Sequence, residues 1–198
     1  MNRAAALLSL AVQTAVGAVL AGPVGAFAGL VLGGVFGLAI AQGRAYPPSA
    51  KGVLLLVLDH TWSLPNTIVG SAFLLVQRLR GHTLDLSQTV HSGRIYIRER
   101  FVKGYAVTVG NVIAGATPDL CPHEELHVRQ ARILGPLYFP LVGLGYVIGT
   151  VFPYWLFYHD HEKWPVKGPV TYFTCGVYPH VWHEAWAYRS DRRRATRS

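Results

Sequence analysis

Hydrophobic residues run unbroken by any charge from Ala4 to Gly43. One membrane-spanning helix needs only about 20 residues. Gly22-Pro23 interrupts the run near its middle, so the pattern predicts two apolar helices joined as a hairpin. Gly17, Ala21, Gly25, Gly29, Gly33 and Gly37 recur at four-residue spacing. That spacing aligns them on one helix stripe that a second backbone can approach closely, and Gly25, Gly29, Gly33 and Gly37 are the expected packing positions. A secretory signal peptide would use Arg3, the run from Ala4 and a cleavage site near Ala21. The apolar sequence continues to Ile40, which favours the hairpin.

Beyond a linker at Tyr46-Pro47-Pro48-Ser49, residues 52–77 are mostly apolar but contain Asp59, His60 and Pro65. Two helical pieces are expected, the second over about residues 65–80, in or against a membrane. A charge at that depth faces protein or water rather than lipid. Asp59 with His60 therefore reads either as a polar site or, preferably, as a pair satisfying buried backbone. Residues 93–110 change period: Ile95-Tyr96-Ile97 and Tyr105 to Val109 are β-branched and aromatic runs. They predict a short strand pair or hairpin, with Arg94, Arg98, Arg100 and Lys103 at its wet edge. Residues 136–158 carry no charge, yet Pro140, Gly143, Gly145, Gly149 and Pro153 break them repeatedly. That composition suits a re-entrant or hairpin segment at least as well as a straight span.

Composition sharpens this picture. Of 198 residues, 51% are hydrophobic and 14% charged, against about 25% charged in soluble domains, which argues against an ordinary cytosolic enzyme. The net charge of +8 is uneven. Arg78 to Lys103 and the arginine-rich end from Arg189 are basic blocks, as expected of flanks that face anionic lipid on a cytoplasmic side. Arg192-Arg193-Arg194 is too short a run to argue a nucleic-acid partner. Cys121 and Cys175 cannot form a disulfide scaffold.

The chemistry concentrates in Asp119 to Gln130, where His123-Glu124-Glu125-Leu126-His127 reads H-E-x-x-H. On a helix, residues four apart project from one face, so both imidazoles can hold one Zn2+, and Glu124 stands where a general base is needed. Asp119 is expected as the N-cap, Pro122 in the first turn and Gly135-Pro136 as the stop. Three protein ligands are needed at a catalytic zinc. A histidine six residues after His127 would supply one, but that position is Ile133. The remaining sources are His159-Asp160-His161-Glu162, His180, and His183-Glu184. A helix from His180 to Tyr188 would put His180 and Glu184 on one face.

His123, Glu124, His127 and Glu184 together resemble the H-E-x-x-H…E constellation of gluzincin metallopeptidases, including membrane-embedded ones, and the four-residue glycine register resembles a glycine zipper. The first resemblance covers about a third of the chain. It implies His123, His127 and Glu184 as zinc ligands, Glu124 as general base, and His180 or His183 as a donor to the transition state. In zinc peptidases a strand edge beside the metal helix commonly aligns an extended substrate. Pro122 immediately before the motif, and the 56 residues between His127 and Glu184, depart from the family's pattern.

The expected fold is a mainly α membrane protein with a small β-hairpin. It comprises an N-terminal transmembrane helical hairpin (residues 1–44), a membrane-associated zincin-like domain (45–190) and a basic tail (191–198). The expected function is a multi-pass zinc metallopeptidase of a prokaryotic inner or cytoplasmic membrane, its basic ends cytoplasmic. Its expected partners are the lipid bilayer, a peptide or membrane-protein substrate, and further subunits through the glycine stripe. The alternative is a non-catalytic membrane assembly subunit whose metal site is structural or absent.

Overall fold

The computed structural model describes residues 1–196. It is mainly helical with one small sheet, and its chain divides into two units, Met1–Pro136 and Leu137–Ser198.

In the first unit, helix α1 (Asn2–Gly43) is broken at Ala21 and Gly22, and Gly22 takes φ 60°. Only glycine adopts that conformation without steric cost, and Pro23, with its fixed φ, starts the second arm. Gly17 lies against Gly25, Gly29 against Gln13, Gly33 against Ser9 and Gly37 against Ala6, so the arms run antiparallel. The predicted stripe is the contact face, and the other arm of the same chain is what it packs on. Each arm has about 20 residues and spans about 30 Å. Asn2 ties the open end, its side chain donating to the Tyr46 carbonyl and accepting from the Tyr46 amide, both at 3.0 Å. Arg3 and Arg44 therefore share one end of the hairpin.

Helices α2 (Ala50–His60) and α3 (Leu64–Leu79) match the two expected pieces. The Ser49 hydroxyl caps α2 by accepting from the Gly52 amide. Against α1, α3 contributes Ser71, whose hydroxyl accepts from buried Gln13 at 3.0 Å. After a one-turn helix α4 (Leu86–Thr89), the sheet departs from expectation. Its strands β1 (Ile95–Ile97), β2 (Val107–Val109) and β3 (Val112–Ala114) lie in the order β1-β3-β2. The hairpin is formed by β2 and β3 through a two-residue Gly110-Asn111 turn, whereas β1 pairs with β3 in parallel. Strand β3 is central because all three of its residues are fully buried; such a run has no polar face to mark it by alternation.

Helix α5 (Cys121–Leu134) starts after Leu120 without a side-chain cap, so Asp119 is not the N-cap. The first free amides are met by Thr117 and Leu120 carbonyls instead. The stop is as expected: Gly135 takes φ 54°, and a Cβ there would stand 2.3 Å from the Trp62 ring.

In the second unit, α6 (Tyr138–Val151) ends at Phe152-Pro153 and the chain turns back. A 3-10 turn (Tyr154–Phe157), a loop, a short α7 (Pro169–Thr171) and a π-helical turn (Tyr172–Val177) lead to α8 (Tyr178–His180) and α9 (Trp182–Ala195). Tyr172 donates to Thr150 O and Trp182 to Leu141 O, so the return path retraces α6 from its end towards its start. Trp155 fills the core with Val177 and Val181, and a Cβ on Gly176 would meet its ring at 2.2 Å. The basic residues Arg192 to Arg194 continue α9 rather than forming a separate tail; Arg197 and Ser198 lie outside the described residues.

Among the described residues, two helical stretches are long and apolar enough to cross a membrane, Asn2–Gly43 and Cys121–Val151. Val19, Leu20, Val24, Phe27, Val147 and Val151 on them are exposed.

Candidate metal centre

Helix α5 carries the H-E-x-x-H motif, and its register is set by what its other faces bury. Val128 packs with Tyr96 and Ile113 of the sheet. This turns His123, His127 and Gln130 to a common side and points Glu124 at strand β2. The imidazoles of His123 and His127 are 5.0 Å apart between ring centres, at 76°. His127 Nδ1 lies 2.9 Å from Gln130 Oε1. An amide oxygen only accepts, so Nδ1 carries the proton and Nε2 keeps the lone pair that a metal needs.

Glu124 is buried, and one of its oxygens accepts from the Thr108 hydroxyl at 2.6 Å. Thr108 is the middle residue of β2, an edge strand, so the strand edge expected beside the metal helix is present. Glu125, the neighbouring position, does a different job. It accepts from Tyr96 at 2.8 Å and pairs with Arg94 at 3.2 Å. Burial first, and then the bond to Glu125, push the Tyr96 phenol well above its ordinary pKa, so it stays a donor.

The far end of α5 is held by a buried ion pair that the sequence did not reveal. Asp59 (1% exposed) accepts two bonds from Arg132 (9% exposed), at 2.8 and 2.7 Å. Tyr46 donates to the same carboxylate at 2.8 Å, and Arg132 also donates to Gly93 O. Asp59 is thus an anchor for the metal helix rather than a partner of local backbone. His60 turns away, Nδ1 bonded to Leu56 O at 2.9 Å.

In the second unit, Val181 is extended (ψ 144°) and separates α8 from α9. His180 and Glu184 are therefore not on one continuous helix, and the expected shared face is absent. His180 bonds Gly176 O through Nδ1 and stacks on Trp155. His159 bonds Trp164 O through Nε2 at 2.7 Å. Glu184 is buried in the first turn of α9, with His183 Nε2 at 3.6 Å from its Oε1, and Tyr146 is edge-on to His183 at 5.3 Å.

His123, His127 and Glu184 are each buried, and their side chains are of types that could hold a metal ion. The donor set, two imidazoles and a carboxylate, suits zinc among other divalent ions. Thr108 and Arg132 carried no sequence signal of a role here, since both act through partners distant in the chain. Neither a family model, nor a curated protein, nor a solved structure matches this chain, so its chemistry is read from its own residues.

Proposed function

We propose that the chain is a membrane-bound, zinc-dependent metallopeptidase of the glutamate-zincin kind. The reading is carried by one observation: an H-E-x-x-H helix whose two histidines are buried with ring centres 5.0 Å apart, while Glu124 between them is bonded to an edge strand. His123, His127 and Glu184 hold the ion, which supplies Lewis acidity and lowers the pKa of water. Gln130 fixes the tautomer of His127. Thr108 engages one carboxylate oxygen of Glu124, and the other takes the proton of the attacking water and later delivers it to the leaving amine. The open edge of β2 aligns an extended peptide by strand addition. His180 or His183 would donate to the transition state.

The membrane part of the reading rests on the two apolar stretches and their exposed Val, Leu and Phe side chains. Apolar surface on that scale is unusual on a monomeric soluble protein. Arg3 and Arg44 at one end of the hairpin support a reading in which that end faces the cytoplasm across a prokaryotic inner membrane.

A structural zinc protein is the competing reading, favoured by the burial of all three ligands. The two differ in coordination and in the need for a base. His127→Ala should abolish metal binding at the His123 group. Glu124→Gln should keep metal and fold and abolish hydrolysis of peptide or membrane-protein substrates in lipid. Arg129→Gln, at an exposed position of α5, is the control. Equal turnover by wild type and Glu124→Gln removes Glu124 as base. Four protein ligands and no water in X-ray absorption end the peptidase reading.

A further inference from the structure

We propose that His159, His161 and His180 form a second transition-metal site, taking an imidazole-preferring divalent ion such as Cu2+, Ni2+ or Zn2+. The first support is spacing. The His159 ring centre lies 4.7 Å from that of His161 and 5.1 Å from that of His180, with ring planes at 81° and 70°. A metal–nitrogen distance of about 2.0–2.1 Å puts each ring centre about 3.2 Å from the ion, hence two ring centres about 5.2 Å apart at a tetrahedral angle. His123 and His127, already part of a candidate group, stand at the same separation, 5.0 Å and 76°.

The second support is the fixing of tautomers. His159 Nε2 is 2.7 Å from Trp164 O, and His180 Nδ1 is 2.5 Å from Gly176 O. Carbonyl oxygens only accept, so those nitrogens carry the protons. Nδ1 of His159 and Nε2 of His180 therefore keep their lone pairs. An imidazole anchored through its other nitrogen to a carbonyl is the usual arrangement of a metal-ligating histidine. Trp155 lies against both rings, at 5.4 Å from His159 and stacked at 5.9 Å on His180, and supplies an apolar wall.

His161 is the exposed member of the three, and its contact to Leu156 O is a long 3.4 Å. Among the described residues, His159, His161 and His180 do not bring three ligand atoms within 4.8 Å of one another, so the second site closes when His161 swings onto an ion already held by His159 and His180. The ion then joins the turn after Trp155 to the returning segment at α8, and clasps the second unit around its tryptophan core. Nothing in this depends on the peptidase reading.

The test is metal counting on tag-free, full-length protein in detergent, stripped by chelator and titrated with Cu2+ under electron paramagnetic resonance. The wild type should bind two ions. His123→Ala/His127→Ala should bind one, still with imidazole nitrogen couplings, whereas His159→Gln/His180→Gln should bind one at the other group. Because that double variant touches packed rings, His161→Ala at the exposed position is the decisive second variant. It should weaken one of the two ions at least about 10-fold with an unchanged circular dichroism spectrum. A wild type that binds a single ion, lost with His123 and His127, overturns the proposal. So does unchanged binding of two ions in both His161→Ala and His159→Gln/His180→Gln. A single ion that survives His123→Ala/His127→Ala but is lost with His159 and His180 upholds this site and removes the His123 group instead.

Discussion

Replacing Gly29 by alanine tests whether the N-terminal hairpin is held by backbone contact between its arms. A Cβ at Gly29 would stand 2.1 Å from Gln13 O, 2.6 Å from Gln13 C and 2.9 Å from Thr14 Cα. These are backbone atoms of the facing arm, so no side chain can swing aside. The arms must part by about 1 Å at that level, and a gap of that size forfeits a quarter to a half of each dispersion contact around it. Overpacking of this kind costs about 1–3 kcal/mol. Gly34, on the same arm but off the stripe, is the matched control: its Cβ would meet only Leu10 Cδ1 at 3.7 Å. Alanine there should gain up to about 1 kcal/mol of helix propensity. The two variants should therefore differ by about 1–4 kcal/mol, read as opposite shifts of the unfolding midpoint in a denaturing-detergent titration followed by circular dichroism. Gly29→Ala as stable as Gly34→Ala would refute close arm packing and leave the four-residue register without physical content.

Two further outcomes follow from the interior of the first unit. Asp59→Asn should destabilise the protein by about 3–5 kcal/mol, because Arg132 is left charged and unpaired in a buried site. Asp59→Leu with Arg132→Met should recover most of the loss, and a double variant no better than the single one would show that the pair does not act through charge. Gln130→Met keeps side-chain volume but removes the acceptor for His127 Nδ1. Metal affinity of the His123 group should fall about 10–100-fold in a chelator competition, whereas Gln130→Glu should retain it; loss in both would mean that Gln130 acts through packing.

Features that depend on near neighbours along the chain are legible without the fold. The break at Gly22-Pro23, the four-residue glycine stripe and the i,i+4 pairing of His123 with His127 are local, because helix geometry alone converts spacing into a shared face. The two helical pieces after the linker were legible for the same reason. Tertiary structure decided everything that pairs distant residues. The insertion of β3 between β1 and β2 follows from burial on both sheet faces, which erases the alternation a reader relies on. Asp59 finds Arg132 across 73 positions, a partner that no period encodes. The separation of His180 from Glu184 depends on one extended residue, Val181, whose side chain is packed with Trp155 and Val177 in the core of the second unit. The position of Glu184 was closed to the sequence for the same reason: the return of residues 172–182 along α6 is fixed by contacts such as Tyr172 to Thr150 and Trp182 to Leu141, made between residues that have no relation in sequence.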